Sequence, residues 1–185
     1  MSVQLFVVVL LAIVLAVYVA TAIRTWIRFR GVRVVTCPES RRPAAVTVDV
    51  GRAMVSAVRE RADVRIDACS RWPERRGCGE TCVPQIEAST EETRAKTIAA
   101  RFFKDRRCVI CGRRIGPLKQ GPLQPGFMNS ITREAVPWFD VPAQDLSDAI
   151  LERRPLCADC TLAESSRHPW PVTYRRAWRG RMPRQ

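Results

Sequence analysis

The first pattern along the chain is a stretch with no polar face at all. Leu5 to Ile23, LFVVVLLAIVLAVYVATAI, runs nineteen residues without a charge. At ~1.5 Å rise per residue, a helix of this length nearly matches the ~30 Å hydrocarbon core of a bilayer. Val and Ile are weak helix formers in water, but in lipid a helix satisfies its own backbone groups. Tyr18 and Trp26 stand near the exit, where amphipathic rings favour the interface. A buried core helix is one rival, disfavoured by the apolar character on every side. A cleavable leader is the sharper rival. ATA at 20–22 suits a small-residue cleavage site, whereas MSVQ lacks the basic residues of a leader's start. The pattern predicts a transmembrane anchor with a basic flank over 1–30.

Beyond it the apolar positions become short and periodic. VRVVTC (32–37) and AAVTVDV (44–50) alternate or are rich in Val, and predict two strands. GRAMVSAVRERA (51–62) places Met54, Val55 and Val58 at helical spacing. DVRIDAC (63–69) alternates Val64, Ile66 and Ala68, a third strand. The order is β-β-α-β, a small module over 31–88. Ser89-Thr-Glu-Glu92 matches a capping box and predicts a connecting helix over 89–107, with Ile98, Phe102 and Phe103 as its core stripe. From 108, CVICGRRIGPLKQGPLQPGF carries turn signals throughout. VPAQDLSDAILERR (141–154) predicts a short helix with Leu146, Ile150 and Leu151 inward. PLCADCTLAESSR (155–167) predicts another, whose first turn carries two cysteines. The segment 108–167 is therefore a second module, and 168–185, HPWPVTYRRAWRGRMPRQ, an irregular tail. The fold class expected is α+β: one transmembrane helix followed by small, cysteine-rich, metal-stabilised domains.

Charge then orients the chain. Arg24, Arg28, Arg30, Arg33, Arg41 and Arg42 follow the apolar helix against a lone Glu39, and no Lys or Arg precedes it. The positive-inside rule places the N-terminus outside and the bulk of the chain in the cytoplasm, at the inner or plasma membrane. There thiols stay reduced, so metal thiolates are favoured over disulfides for the eight cysteines.

Cys108-Val-Ile-Cys111 followed by Gly112 has the spacing of a metal knuckle: two intervening residues let both sulfurs face one ion, and Gly permits the turn a positive φ. Cys157-Ala-Asp-Cys160 offers a second pair at a helix start, where the dipole favours thiolates. Four thiolates at a tetrahedral centre suit Zn²⁺. Over 108–167 these residues resemble the treble-clef and zinc-ribbon class of zinc modules. The chain as a whole looks like a bacterial membrane-anchored protein with cysteine-rich zinc modules. The 45-residue gap between the pairs departs from a compact finger and must hold the loop and helix above. Cys69, Cys78 and Cys82 form C-x8-C-x3-C, and Cys37, at a strand end, supplies a fourth thiol. A second zinc site there requires strands 32–36 and 64–68 to be neighbours. An iron–sulfur cluster is the alternative occupant. Trp72 and Pro73 would cover such a site, or Trp72 is simply a core residue.

Other chemistry finds little support. Neither CxxC follows a strand in a βαβ pattern, as thioredoxin-like redox pairs do. His168 is the only histidine, and no catalytic set or phosphate loop can be assembled. The chain carries 31 Lys and Arg and a net charge of +13. The tail combines Arg175, Arg176, Arg179 and Arg181 with Trp170 and Trp178, a pattern for anionic lipid or a membrane-protein partner, with nucleic acid as the rival. The function expected is a non-enzymatic zinc-binding adaptor, an accessory subunit of a membrane complex. An iron–sulfur or thiol-redox electron carrier and a membrane-tethered nucleic-acid binder are the alternatives.

Overall fold

The computed structural model describes residues 3–72, 77–118, 121 and 123–167. The apolar stretch forms helix α1 (Val3–Phe29), 27 residues with a mean hydropathy of 3.0 over its most apolar window, none of which is buried against the rest of the molecule. Length and composition suffice to cross a membrane. A leader sequence has the same properties.

Only Thr25 and Phe29, in the last turns of α1, are buried. That end is clasped by two arginines. The buried Arg33 donates to the carbonyls of Thr90 and Arg28, and to Thr93 Oγ1 at 3.3 Å. Arg94 Nη2 donates to the carbonyls of Ile27 at 2.7 Å and Arg28 at 3.1 Å. The last carbonyls of a helix have no partner within it, and here guanidinium groups meet two of them. Burial, then the neighbouring Arg94 and Arg28, pushes the Arg33 pKa down to about 10, against a raising effect of Glu91, so it remains a cation near neutral pH. One member of the basic flank is thus a structural residue rather than a free charge.

The predicted β-β-α-β order is present. Strands β1 (Arg33–Thr36), β2 (Pro43–Val48) and β3 (Ile66–Cys69) form an antiparallel sheet, with helix α2 (Val50–Arg59) between β2 and β3. Asp49 caps α2, accepting from Arg52 N at 2.9 Å, and α2 packs against α1. The sheet order is β1-β2-β3. The expected neighbourhood of 32–36 and 64–68 is therefore wrong: β2 lies between them, because a short turn pairs β1 with its immediate successor.

A short helix α3 (Val83–Ala88) follows, then α4 (Ala95–Phe103). The capping box at Ser89 does not open α4; Ser89 ends α3. Residues 89–94 are drawn instead to the edge of β1, through Val34 N–H to Thr93 O at 2.7 Å and Ala95 N–H to Val32 O at 3.0 Å. Tertiary pairing here overrides a local signal.

The second half has a three-stranded sheet of order β5-β4-β6, from β4 (Gly126–Met128), β5 (Ala135–Pro137) and β6 (Arg154–Leu156). None of these strands was expected. Helix α5 (Leu146–Glu152) is shorter than predicted, because 143–145 form a 3₁₀ turn before it. Helix α6 (Ala158–Arg167) begins at the second cysteine pair. A Cβ at Gly126 would overlap the Val136 carbonyl and lie 2.7 Å from Thr161 Cγ2, so glycine is what lets α6 close on β4.

Two cores meet at the first sheet. Ala44, Val46 and Val48 of β2 face a cluster with Phe29, Ala53, Ile66 and Ile86. Ala45, on the opposite face, joins Ala99, Phe103, Phe127, Val136, Leu146 and Leu156. Phe102, Phe103 and Phe127 stack with centroids 5.1–5.3 Å apart. The end of α1 is thus built into one core, and β2 contributes to both.

Candidate metal centre

Cys108 and Cys111 sit on a tight turn just after α4. Cys108 N–H donates to Arg113 O and Gly112 N–H to Cys108 O, both at 2.9 Å, and Gly112 takes the positive φ of 70° the turn requires. The turn is tied to β6 through Val109 N–H to Pro155 O at 3.1 Å. β6 leads directly to Cys157, and α6 starts at the next residue. Thr161, buried against β4, returns both its amide and its hydroxyl to the Cys157 carbonyl at 2.9 Å. The two pairs, 45 residues apart, are thereby brought together.

The sulfurs of Cys108, Cys111, Cys157 and Cys160 all lie within 4.8 Å of one another. Cys111 Sγ and Cys157 Sγ are 3.7 Å apart. A tetrahedron with Zn–S bonds of ~2.3 Å has edges of ~3.8 Å, so this spacing is what one ion would impose. Cys108 and Cys157 are buried, Cys160 is half-buried and Cys111 is exposed, so the site is closed on the core side and shallow at one rim.

Electrostatics separate the four. The Arg113 guanidinium, followed by its amide and the neighbouring thiols, pulls Cys111 down to about 6. Burial pushes Cys157 and Cys160 up. Four crowded thiols cannot all ionise without a cation among them, because like charges at this range disfavour each other strongly. A divalent ion removes that conflict. Arg113 also bridges to Asp159 at 2.8 Å, joining the turn to the first turn of α6. Neither residue was singled out from the sequence. The signal was available, since Arg113 follows the C-x-x-C-G turn directly and Asp159 lies inside C-A-D-C. Such outer partners hold ligands in position.

The other predicted set stands elsewhere. Cys37 follows β1, Cys69 ends β3, Cys78 lies in the following loop and Cys82 precedes α3. All four are unbridged. Among the described residues, only the Cys108 set gathers within 4.8 Å, so the second zinc site expected from the sequence is not drawn together in the same way. The Ser40 hydroxyl, then its amide, hold Cys37 below its ordinary value, although that hydroxyl meets no partner at full hydrogen-bond geometry. Burial raises Cys69, and raises Cys82 to about 11, with the neighbouring thiols adding to both. Trp72 is half-buried against the first core, while Pro73 lies outside the described residues. So do His168 and the tail residues Trp170, Arg175, Arg176, Trp178, Arg179 and Arg181.

Fold and site define a mixed α/β protein with a cluster of four cysteines spaced to hold one metal ion and an apolar N-terminal helix. No protein-family model, curated protein or solved structure matches the chain.

Proposed function

We propose that this protein is a membrane-anchored zinc protein with a structural or adaptor role, its bulk on the cytoplasmic side as an accessory subunit of a membrane complex. The observation that carries the metal assignment is the gathering of Cys108, Cys111, Cys157 and Cys160 within 4.8 Å, at the spacing of a tetrahedral thiolate centre. Zinc suits it: a four-thiolate, closed site is the structural rather than the catalytic arrangement, since no coordination position is left for water. The basic residues that follow α1 support the cytoplasmic orientation. The tail residues Trp170, Arg175, Arg176, Trp178, Arg179 and Arg181 are the proposed docking segment, held by its tether near anionic headgroups, where each basic side chain contributes about 1 kcal/mol.

The test is metal identity in chain purified from membranes under reducing conditions without added metal. Colourless protein containing zinc supports the proposal. Coloured, iron-containing protein moves the site to electron transfer, for which the exposed Cys111 would be the exit. Metal-free chain with a disulfide inside either CxxC pair overturns the metal reading.

A further inference from the structure

The turn between β1 and β2 repeats the backbone of the Cys108 turn bond for bond. Cys37 N–H donates to Arg42 O at 3.0 Å and Arg41 N–H to Cys37 O at 2.8 Å. In the other turn, Cys108 donates to Arg113 and Gly112 to Cys108 at the same offsets. The fifth residue is left-handed in both, Arg41 at φ 53° and Gly112 at φ 70°. A residue with a Cβ holds that conformation at some cost, so the geometry is imposed on Arg41 by the turn. By backbone, residues 37–42 form the same turn as residues 108–113, with Ser40 where Cys111 stands in the other.

That turn carries one sulfur, Cys37, and it does not stand alone. Cys37, Cys69, Cys78 and Cys82 line one small cavity of about 20 Å³, with Trp72 on its wall. Space of that size admits a single water or ion and no organic ligand. Two of the thiols have an amide two residues on directed at the sulfur: Arg71 N to Cys69 Sγ and Glu80 N to Cys78 Sγ, each at 3.4 Å. A neutral thiol is a weak acceptor; amides converging on sulfur are the environment of a thiolate. Although β2 lies between β1 and β3, both strands end at the same end of β2, so Cys37 and Cys69 line this cavity together without the strands being neighbours, and Cys78 and Cys82 complete the lining.

We propose that Cys37, Cys69, Cys78 and Cys82 form a second four-thiolate site, taking one zinc ion, with Cys69, Cys78 and Cys82 supplying the sulfurs that this turn, with Ser40 in place of a second cysteine, does not. Its sulfurs are wider apart than those of the Cys108 set, so the ion draws them inward as it binds. Each thiol that becomes a ligand releases its proton to solvent, and no electrons are exchanged. The residues are separate from the Cys108 centre, so the two assignments stand or fall independently.

The experiment is zinc content of the full-length chain, extracted in detergent under reducing conditions without added metal. Wild type holds two ions per chain. The pair Cys37→Ser with Cys82→Ser lowers this to one, and the pair Cys111→Ser with Cys160→Ser also leaves one. A wild type with a single ion, unchanged by the Cys37 and Cys82 substitutions, overturns the proposal and leaves the Cys108 centre intact. No ion in wild type overturns both. Should a variant fail to fold, wild type answers alone. Titration with a mercurial reagent releases two zinc ions, and exchange into cobalt gives a thiolate-to-cobalt absorption twice that of one tetrahedral site. Release of one ion, a single-site absorption, or a disulfide within the Cys37 set contradicts it.

Discussion

At the scale of single residues, a few side chains decide the structure because nothing else fits their place. Gly126 is one: a methyl group there meets the Val136 carbonyl and Thr161, whose amide and hydroxyl both donate to the Cys157 carbonyl in the four-cysteine cluster. Gly126→Ala is expected to destabilise the fold by about 1–3 kcal/mol through overpacking, read as a lower thermal midpoint in detergent. Arg33 is another. Its replacement by Met removes the guanidinium hydrogen bonds to the Thr90 and Arg28 carbonyls, leaving only the Thr93 hydroxyl at 3.2 Å on the first and Arg94 at 3.1 Å on the second, and a hydrogen bond from a charged donor contributes about 1.5–3 kcal/mol. Thermal unfolding of Arg33→Met should show a loss of that order, and Arg33→Lys should recover part of it. The cysteine pairs at 108 and 157 were legible because a CxxC unit is local chemistry. Arg33 was not, because a buried arginine looks in sequence like any member of a basic flank.

At the scale of elements, the long or strongly periodic segments were readable and the short ones were not. Helix α1 and the β-β-α-β order were anticipated from hydrophobic pattern. Strands β4, β5 and β6, of three residues each, are too short to show an alternation, and they exist because β4 pairs on both sides. The Ser89 capping signal failed for the opposite reason. Its segment found hydrogen bonds on the edge of β1 and so did not open the helix. The junction between α1 and the first sheet follows from the same pairing, since Arg33 and Arg94 lie opposite each other there. Replacing both with Met should release α1 from the sheet without removing metal. The expected readout is faster protease cleavage near residue 31, at unchanged zinc content. Unchanged cleavage would show that Phe29 in the core suffices to hold the helix.

At the scale of the whole molecule, the apolar helix ends inside one core, and the sheet it enters shares β2 with the other. β2 therefore links the core that holds the end of α1 to the half that carries the Cys108 cluster. The proposed orientation has its own test. In sealed spheroplasts, an epitope at the C-terminus should resist external protease until the membrane is dissolved; digestion before that would place the bulk of the chain outside. The mutual approach of 108–111 and 157–160 could be expected from a shared ion, but not the route: it runs through Pro155 and Thr161, residues with no metal signature.

The central claim is that a divalent ion among Cys108, Cys111, Cys157 and Cys160 holds the second half of the molecule together. Its most direct test is near-ultraviolet circular dichroism of the reduced, detergent-extracted chain before and after exhaustive chelation. Collapse of the tertiary signal on chelation, restored by one equivalent or more of zinc, is the predicted result. A signal that persists after the metal has been shown to be gone contradicts the account.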